Sequence, residues 1–217
     1  VDHFVANSRF VARRIERYYR RPSTVIYPPV DTAYFTPGGE GGDYYLAVSR
    51  LTAYKRIGLA IEAFNRLGKP LWIVGDGPER RRLKAMAGPN IRFLGALSRE
   101  GVRDVMRGCR ALIYPGKEDF GITPVEVQAA GRPVIAFGGG GALESVVDGV
   151  TGLFFGEQTA QALCEAVDRA SCLSFDQDAI RRHAVQFDRE LFCRKMSAFV
   201  RDKWDERLND ERKGAGD

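Results

Sequence analysis

The sequence predicts an α/β fold in which helices cover both faces of one doubly wound parallel sheet. The first observation is a set of short runs that are apolar throughout, as expected of strands buried on both faces. They lie at residues 44–49, 70–75, 91–95, 111–115, 133–138 and 152–155. The second is that segments with helical spacing alternate with these runs, at residues 57–67, 78–87, 98–107, 124–131, 142–148 and 159–170. This alternation indicates a Rossmann-like domain that binds its ligand at the carboxyl ends of the strands.

Before this domain, residues 1–27 predict the end of a strand, a helix that begins at Asn7 or Ser8, and a second short strand near residues 25–27. Prolines and glycines interrupt all periodicity over residues 28–43. We therefore interpret that segment as an interdomain linker.

The main domain is then expected to cover residues 44–187, and residues 188–209 to form one long closing helix. An apolar stripe at amphipathic spacing marks this helix: Leu191, Phe192, Met196, Phe199, Val200 and Trp204. Residues 210–217 are expected to be disordered.

Composition limits the classes of function. The 217 residues are 44% hydrophobic, and no apolar run approaches the length of a membrane span. The start has no signal-peptide pattern, and because it also lacks an initiator Met we expect a fragment. Cysteines kept as reduced thiols are expected of a cytoplasmic protein. Four cysteines without a CxxC pair and only two histidines argue against zinc and against disulfides.

The net charge of +5 has two interpretations. Basic stretches such as "RRIERYYRR" are solvated helix faces, or they attract an anionic ligand or the inner face of a membrane. Nucleic acid is not expected, because the aromatic residues lie mainly in apolar strands and do not alternate with the basic stretches.

Candidate binding residues follow the first two strands of the main domain. Arg50 and Lys55 come directly after the first strand, where two cations can clamp a diphosphate; the alternative is a pair of surface cations. Gly75 and Gly77 follow the second strand and permit a tight turn and close approach to a flat ligand. The alternative for these glycines is an ordinary strand-to-helix turn.

The stretch "KEDFGITPVE" (117–126) follows the fourth strand. Thr123 and Glu126 have the spacing of a capping box, with Pro124 at the first helical position. The same helix N-terminus, with Gly121 ahead of it, offers free N–H groups for a phosphate. Glu118 has no capping role; it suits sugar hydroxyls, or it is a solvated loop acid.

The fifth strand ends in "GGGGALESV". Four successive glycines predict a mobile loop. Glu144 lies early in the next helix, where the helix dipole favours an acid.

Together these motifs resemble the C-terminal, donor-binding half of a family 4 (GT-B) retaining glycosyltransferase. The resemblance covers nearly the whole chain and depends on five segments in the family's order: "SRLTAYKR", "VGDGPE", "IRFLGAL", "EDFGITPVEVQAAGRPVIA" and "DGVTGLFF". The sequences of these segments are most similar to those of bacterial mannosyltransferases of polysaccharide assembly. In this family the acceptor binds to an N-terminal domain, most of which is missing from this chain.

The resemblance implies a role for each site residue. Arg50 and Lys55 would bind the diphosphate and stabilise the leaving group, Glu118 would bind hydroxyls of the donor sugar, and Glu126 would bind both ribose hydroxyls. The remaining contacts would come from the backbone of Phe120, Gly121 and Ile122, the Thr123 hydroxyl, and, for the base, the backbone near Phe93 and Leu94.

The resemblance also implies transfer with retention, with no metal ion and no cofactor. The substrate would be a nucleotide sugar, with GDP-mannose favoured and a UDP- or ADP-sugar open, and the acceptor a glycan or a lipid-linked glycan. Two alternatives remain: a non-catalytic nucleotide-sugar sensor, and another GT-B enzyme such as a sugar-nucleotide epimerase.

Overall fold

The computed structural model describes residues 1–39 and 41–214. Its helices and strands follow in chain order: β1 (Val5–Ala6), α1 (Arg9–Tyr19), β2 (Thr24–Val25), β3 (Tyr45–Val48), α2 (Ile57–Leu67), β4 (Leu71–Val74), α3 (Arg80–Met86), β5 (Ile91–Gly95), α4 (Arg99–Gly108), β6 (Ala111–Tyr114), α5 (Ile122–Ala129), β7 (Val134–Phe137), α6 (Ala142–Ser145), β8 (Gly152–Phe155), α7 (Ala160–Ser171), α8 (Gln177–Val185) and α9 (Arg189–Gly214).

The main sheet has the strand order β5-β4-β3-β6-β7-β8, and every neighbouring pair is parallel. This confirms the predicted doubly wound α/β fold. From β3 the chain first adds strands on one side and then, from β6, on the other. The crevice between the carboxyl ends of β3 and β6 is therefore the switch point, where open α/β sheets bind their ligands.

Side chains that alternate along the strands divide the core into two layers. Tyr45 and Ala47 of β3 pack in the layer formed with α2 and α7, whereas Leu46 packs in the layer formed with α4, α5 and α8. Since both faces are covered, nearly every strand residue is apolar, as the sequence pattern indicated. The two layers fix the strand ends, and thereby the loops that follow them.

The first three elements form a small βαβ unit, in which β1 and β2 pair in parallel. Ser8 is the N-cap of α1, because its Oγ accepts a hydrogen bond from the Val11 N–H at 3.0 Å. Asn7 and Ser8 were the two predicted N-caps, and Ser8 is confirmed. The second strand begins one residue earlier than expected, at Thr24.

The predicted linker is irregular but packed against the main domain; its Glu40 lies outside the described residues. The Val30 N–H donates to the Phe187 carbonyl at 3.0 Å, and the Arg189 N–H donates to the Val30 carbonyl at 3.0 Å. The Arg181 guanidinium donates to the carbonyls of Thr32 and Phe35. These bonds hold the linker backbone on the domain surface.

The closing helix requires a correction. It was expected to end at residue 209, with disorder over 210–217, but α9 continues to Gly214. Residues 215–217 lie outside the described residues. Two of the six residues in its apolar stripe are exposed: 58% of Val200 and 61% of Trp204 face solvent. Across residues 1–39 and 41–214, we find no helix with the length and apolar character needed to span a membrane.

Candidate active site

A cavity of about 640 Å³ opens at the switch point of the main sheet. Loops that follow four different strands contribute its walls, and the lining residues are Asn7, Pro28, Tyr54, Lys55, Lys117, Glu118, Asp119, Phe120, Gly121, Ile122 and Thr123. Several of the predicted site residues are thus neighbours: Lys55 from the loop after β3, and Glu118 with residues 120–123 from the loop after β6.

Lys55 and Glu118 form an ion pair between the Lys Nζ and the Glu Oε2 atoms. Lys55 ends a 3₁₀ turn, Ala53–Lys55, that follows β3. Each side chain is only 17% exposed, so the pair is largely withdrawn from water. Glu118 is therefore not a solvated loop acid, which corrects that alternative. Together the two groups present one cation and one anion to the cavity.

The start of α5 differs from the predicted capping box. The N-cap is Gly121, with φ 88° and no side-chain cap, so Ile122 is the first helical residue and Thr123 the second. Glycine is required at 121 because φ is positive and because a Cβ there would lie 2.4 Å from the Tyr114 hydroxyl. The predicted cap at Thr123 was wrong, since the helix begins two residues earlier than Thr-x-x-Glu implies.

As a result, the first N–H groups of α5 have no partner. Within the described part of the chain, the N–H groups of Gly121, Ile122 and Thr123 donate no hydrogen bond, and Pro124 has no N–H to satisfy. All three residues line the cavity. Unpaired N–H groups at the positive end of a helix dipole can bind an anion such as phosphate.

Glu126 lies on α5, half-buried and outside the lining of the cavity. Burial raises the pKa of its carboxyl to about 7, and the nearby Arg99 guanidinium opposes this rise. No hydrogen bond to the Glu126 carboxylate occurs among residues 1–39 and 41–214. The carboxylate therefore has unused acceptor capacity, as a group that binds ligand hydroxyls would.

Glu144 has a role that the sequence did not reveal. Its carboxylate accepts hydrogen bonds from the N–H groups of Arg9 at 2.8 Å and Phe10 at 2.9 Å, the first residues of α1. The Tyr27 hydroxyl donates to the same carboxylate at 3.1 Å. Burial is the main cause that raises the pKa of Tyr27, and the Glu144 carboxylate raises it further. Glu144 therefore joins the βαβ unit to the main domain.

The glycine-rich loop before Glu144 is also unlike the prediction. Gly139, Gly140 and Gly141 are buried, and the Gly141 N–H donates to the Glu118 carbonyl at 2.8 Å. A Cβ at Gly141 would lie 2.2 Å from the Phe120 Cα. The expected mobile loop is thus a packed support beneath the Glu118 loop, and it needs small residues.

Other predicted site residues lie at the same edge of the sheet but outside the described lining of the cavity. Arg50 is exposed at the end of β3, and Phe93 and Leu94 are half-buried in β5. At Gly75 and Gly77 a Cβ would meet the backbone of Ser49 and Leu51 at 1.9 and 2.4 Å. Packing accounts for these two glycines; contact with a ligand stays a prediction.

The described residues contain no group of three or more His, Cys, Asp or Glu side chains arranged to hold a metal ion. The proposed independence from metals remains a prediction, which follows from the resemblance and from the cations at the strand ends.

Residues 36–184, more than half of the chain, match the family model for glycosyl transferases group 1. The chain belongs to this family. The resemblance noted in the sequence is thereby confirmed at the level of this glycosyltransferase family. The matched segment includes Lys55, Glu118 and all of α5, so the family covers the main-domain part of the cavity.

Curated relatives of this group 1 glycosyltransferase differ in their named activities. A D-inositol 3-phosphate glycosyltransferase of Mycobacterium leprae is 29% identical over 86% of this chain and 51% of its own length. An alpha-1,3/1,6-mannosyltransferase, ALG2, of Dictyostelium discoideum is 51% identical over a shorter segment, 28% of this chain and 14% of its own. The chain spans about half the length of the relatives that it matches over most of its residues.

Solved structures support the fold. The sucrose-phosphate synthase of Thermosynechococcus elongatus has a TM-score of 0.83 at 24% identity, over 95% of this chain and 59% of that one. Anabaena HepE, in complex with UDP-glucose, has a TM-score of 0.82 at 20% identity, over 93% of this chain and 64% of that one. At these identities the likeness shows a shared fold.

Several site residues were missed in the sequence. Asn7 lines the cavity, and it directly follows β1, so the rule that selected Arg50 would also have selected it. Tyr114 is buried beneath Gly121 with its hydroxyl unpaired, and burial, with Glu118 nearby, raises its pKa. Asp119 pairs with Arg14 of α1 at 2.7 Å. For Tyr114 and Asp119 no local pattern gave a signal.

Proposed function

We propose that this chain is the donor-binding half of a retaining glycosyltransferase. It moves a hexosyl group, with mannose favoured, from a nucleotide sugar to a glycan or lipid-linked acceptor without a metal ion. The observation that carries the proposal is the cavity at the switch point, where a Lys–Glu pair and unpaired helix N–H groups face the same space. A sugar diphosphate needs both kinds of group.

In the proposed reaction, the bond between the anomeric carbon and the phosphate oxygen breaks, and the electron pair stays on the diphosphate. Lys55, Arg50 and the N-terminus of α5 stabilise this charge. Fixed cations and dipoles suit the task because they need no reorganisation as the charge develops. The acceptor hydroxyl oxygen forms the new bond to the anomeric carbon on the same face of the sugar, with net retention, and its proton passes to the departing phosphate oxygen.

The remaining site residues would bind the rest of the donor. Glu118 accepts hydrogen bonds from sugar hydroxyls, and Glu126 accepts them from the ribose. The unused acceptor capacity of the Glu126 carboxylate supports this assignment. The other donor contacts are assigned to the loop residues Phe120, Gly121, Ile122 and Thr123, the turn glycines Gly75 and Gly77, and, for the base, Phe93 and Leu94.

The names of the relatives support particular candidates for the nucleotide sugar. The Dictyostelium mannosyltransferase supports mannose, and thus GDP-mannose, whereas the UDP-glucose complex of the Anabaena protein supports a UDP-sugar. An ADP-sugar is the third candidate. Base recognition through the backbone of β5 would not select among them by side chains.

The acceptor would bind to an N-terminal domain of which β1, α1 and β2 are the last elements. A parallel pair of two-residue strands is too small to be stable alone. Exposed aromatic residues near it also indicate a missing cover: 69% of Tyr18, 66% of Tyr19 and 61% of Trp204 face solvent. We place the complete enzyme in the cytoplasm, with peripheral contact to the inner face of the membrane through its basic surface.

Two other functions would use the same fold. A nucleotide-sugar sensor would need the phosphate-binding groups, Lys55 among them, but need not keep Glu118 at the sugar position, so the presence of Glu118 beside Lys55 favours the enzyme. A sugar-nucleotide epimerase would need further catalytic acids in the cavity. Of its two other charged lining groups, Asp119 already pairs with Arg14, and Lys117 is a cation.

A thermal-shift panel on this chain tests the proposal. It compares GDP, GDP-mannose, UDP, UDP-glucose and ADP-glucose. At 100 times the dissociation constant, a ligand stabilises the folded state by about 2.7 kcal/mol, which corresponds to roughly 5–10 °C for a chain of this size. One base should give such a shift, and the absence of a shift with every nucleotide would contradict the proposal. Hydrolysis of the donor by the longer enzyme would then test transfer.

A further inference from the structure

The cavity has a wall that belongs to the βαβ unit. Asn7 directly follows β1 and Pro28 follows β2, while Lys55 and Glu118 follow β3 and β6 of the main sheet. Two separate parallel sheets thus direct the carboxyl ends of their strands toward one cavity. Because ligands of such sheets bind at these ends, residues from both sheets should contact the same ligand.

Asn7 is exposed, and the residues that follow it in the chain are tied to their surroundings. The neighbouring Ser8 is fully buried, donates from Oγ to the Asn7 Oδ1 at 3.3 Å and caps α1. Glu144 of the main domain binds the next two N–H groups of the helix. Farther along α1, Arg14 pairs with Asp119 at 2.7 Å. The helix that follows Asn7 is therefore attached to the main domain at its first turn and again at Arg14.

The chemistry of the Asn7 side chain suits a sugar. Its oxygen is engaged with Ser8, whereas its amide nitrogen donates no hydrogen bond within the described residues. The charged groups in the cavity can meet the diphosphate, and Glu118 accepts hydrogen bonds from hydroxyls. A sugar hydroxyl both donates and accepts hydrogen bonds. Glu118 can accept a hydrogen bond from such a hydroxyl, and the Asn7 amide, a neutral group with two N–H bonds, can donate one to it.

We propose that Asn7 is a sugar-binding residue of this site and donates a hydrogen bond from its amide to a hydroxyl oxygen of the transferred hexosyl group. This inference rests on the proposed function. It adds a contact from the first sheet to those assigned in the main domain, and it makes Asn7 one determinant of which sugar is accepted.

The variants Asn7→Asp and Asn7→Ala test this inference, with the affinities of UDP, UDP-glucose, GDP and GDP-mannose measured by calorimetry. Asn7→Asp keeps an oxygen for Ser8 but removes the amide donor. We expect roughly a 3- to 10-fold loss of affinity for the nucleotide sugar that the wild type binds, the usual range for one hydrogen bond. In Asn7→Ala, which removes the amide donor without adding a charge to the cavity, the affinity for the corresponding nucleoside diphosphate should be unchanged; Asn7→Asp should weaken it, because the new carboxylate repels the diphosphate.

The matched control is Gln161→Ala, which removes an exposed amide from α7, outside the described lining of the cavity. Melting temperatures show whether each variant folds. In Asn7→Ala, equal losses for the diphosphate and the nucleotide sugar, or no loss for either, would overturn the role of Asn7 while leaving nucleotide binding intact. If the wild type binds none of these ligands, the proposed function itself fails, and the inference fails with it.

Discussion

The Lys55 ammonium and the Glu118 carboxylate meet across the switch point of the sheet, although 63 residues separate them in the chain. Each is 17% exposed, so neither charge is well solvated without the other. A bound donor would compete for both partners: its diphosphate for Lys55 and its sugar hydroxyls for Glu118. The pair thus keeps the two groups in position before the ligand arrives, which lowers the cost of ordering them.

Lys55→Ala should weaken the binding of UDP or GDP by at least about tenfold, on the order of one charge-assisted hydrogen bond. The binding of uridine or guanosine should change little. The control, Lys69→Ala, removes a Lys–Asp pair on another part of the surface. Calorimetric titration of diphosphate and nucleoside checks the result; equal losses for both would remove Lys55 from the phosphate site.

Lys55→Ala also leaves the Glu118 carboxylate without its partner, next to the incoming diphosphate. The double variant Lys55→Ala/Glu118→Gln removes this repulsion and should recover part of the lost affinity. It also separates the effect on binding from the cost of an unpaired, largely buried charge, which is roughly 3 kcal/mol for a broken buried pair.

Glu126 should make stability and binding depend on pH. Its folded-state pKa of about 7 lies above the ordinary value of 4.5, so the folded chain holds more protons than the unfolded chain between these values. Stability should therefore fall as the pH rises from 4.5 to 7, by at most roughly 3 kcal/mol. Glu126→Gln should lack this fall, as measured by urea unfolding at several pH values.

Nucleotide affinity should change in the opposite direction. If the ionised Glu126 carboxylate accepts hydrogen bonds from the ribose, the affinity for UDP or GDP rises between pH 6 and 8. In Glu126→Gln this rise should disappear, and the affinity at pH 8 should be lower than in the wild type. A variant that loses stability but keeps its affinity would assign Glu126 a purely structural role.

Gly141→Ala should disturb the Glu118 loop. The added Cβ would lie 2.2 Å from the Phe120 Cα, so the loop must shift, at a cost of about 1–3 kcal/mol. Gly156→Ala is the matched control, since nothing lies within 4 Å of a Cβ there. We expect a lower melting temperature and weaker nucleotide binding only in the first variant. Unchanged values would show that the loop tolerates the displacement.

Periodic patterns predicted the fold well, because burial on both faces forces apolar strands and amphipathic helices. Helix α2 was predicted at its observed bounds, Ile57–Leu67. The start of α5 was not, because Thr123 satisfies a capping pattern locally while the buried Tyr114 hydroxyl and the left-handed Gly121 move the helix start. Local sequence contains no information on such a contact.

The same limit applies to the site. The rule on strand ends selected both Lys55 and Glu118, which the structure places in contact, while their roles stay predictions. It could not reveal Glu144 as a cap, because its partners Arg9 and Phe10 are 135 and 134 residues away. The extension of α9 to Gly214 was missed for a different reason. The charged residues after 209 are compatible with an exposed helix and with a disordered tail, so composition did not distinguish the two.

The contacts of Tyr27 and Glu144 determine where this chain could be divided for recombination with relatives. Tyr27 stacks on Phe120 at 5.5 Å and packs edge-on against Phe187 at 5.3 Å, and Glu144 binds the first turn of α1. In a chimera joined at the irregular segment after residue 27, the two partners of each of these contacts would come from different proteins. The exchangeable unit therefore includes β1, α1 and β2, and a hybrid enzyme should inherit them together with its donor specificity.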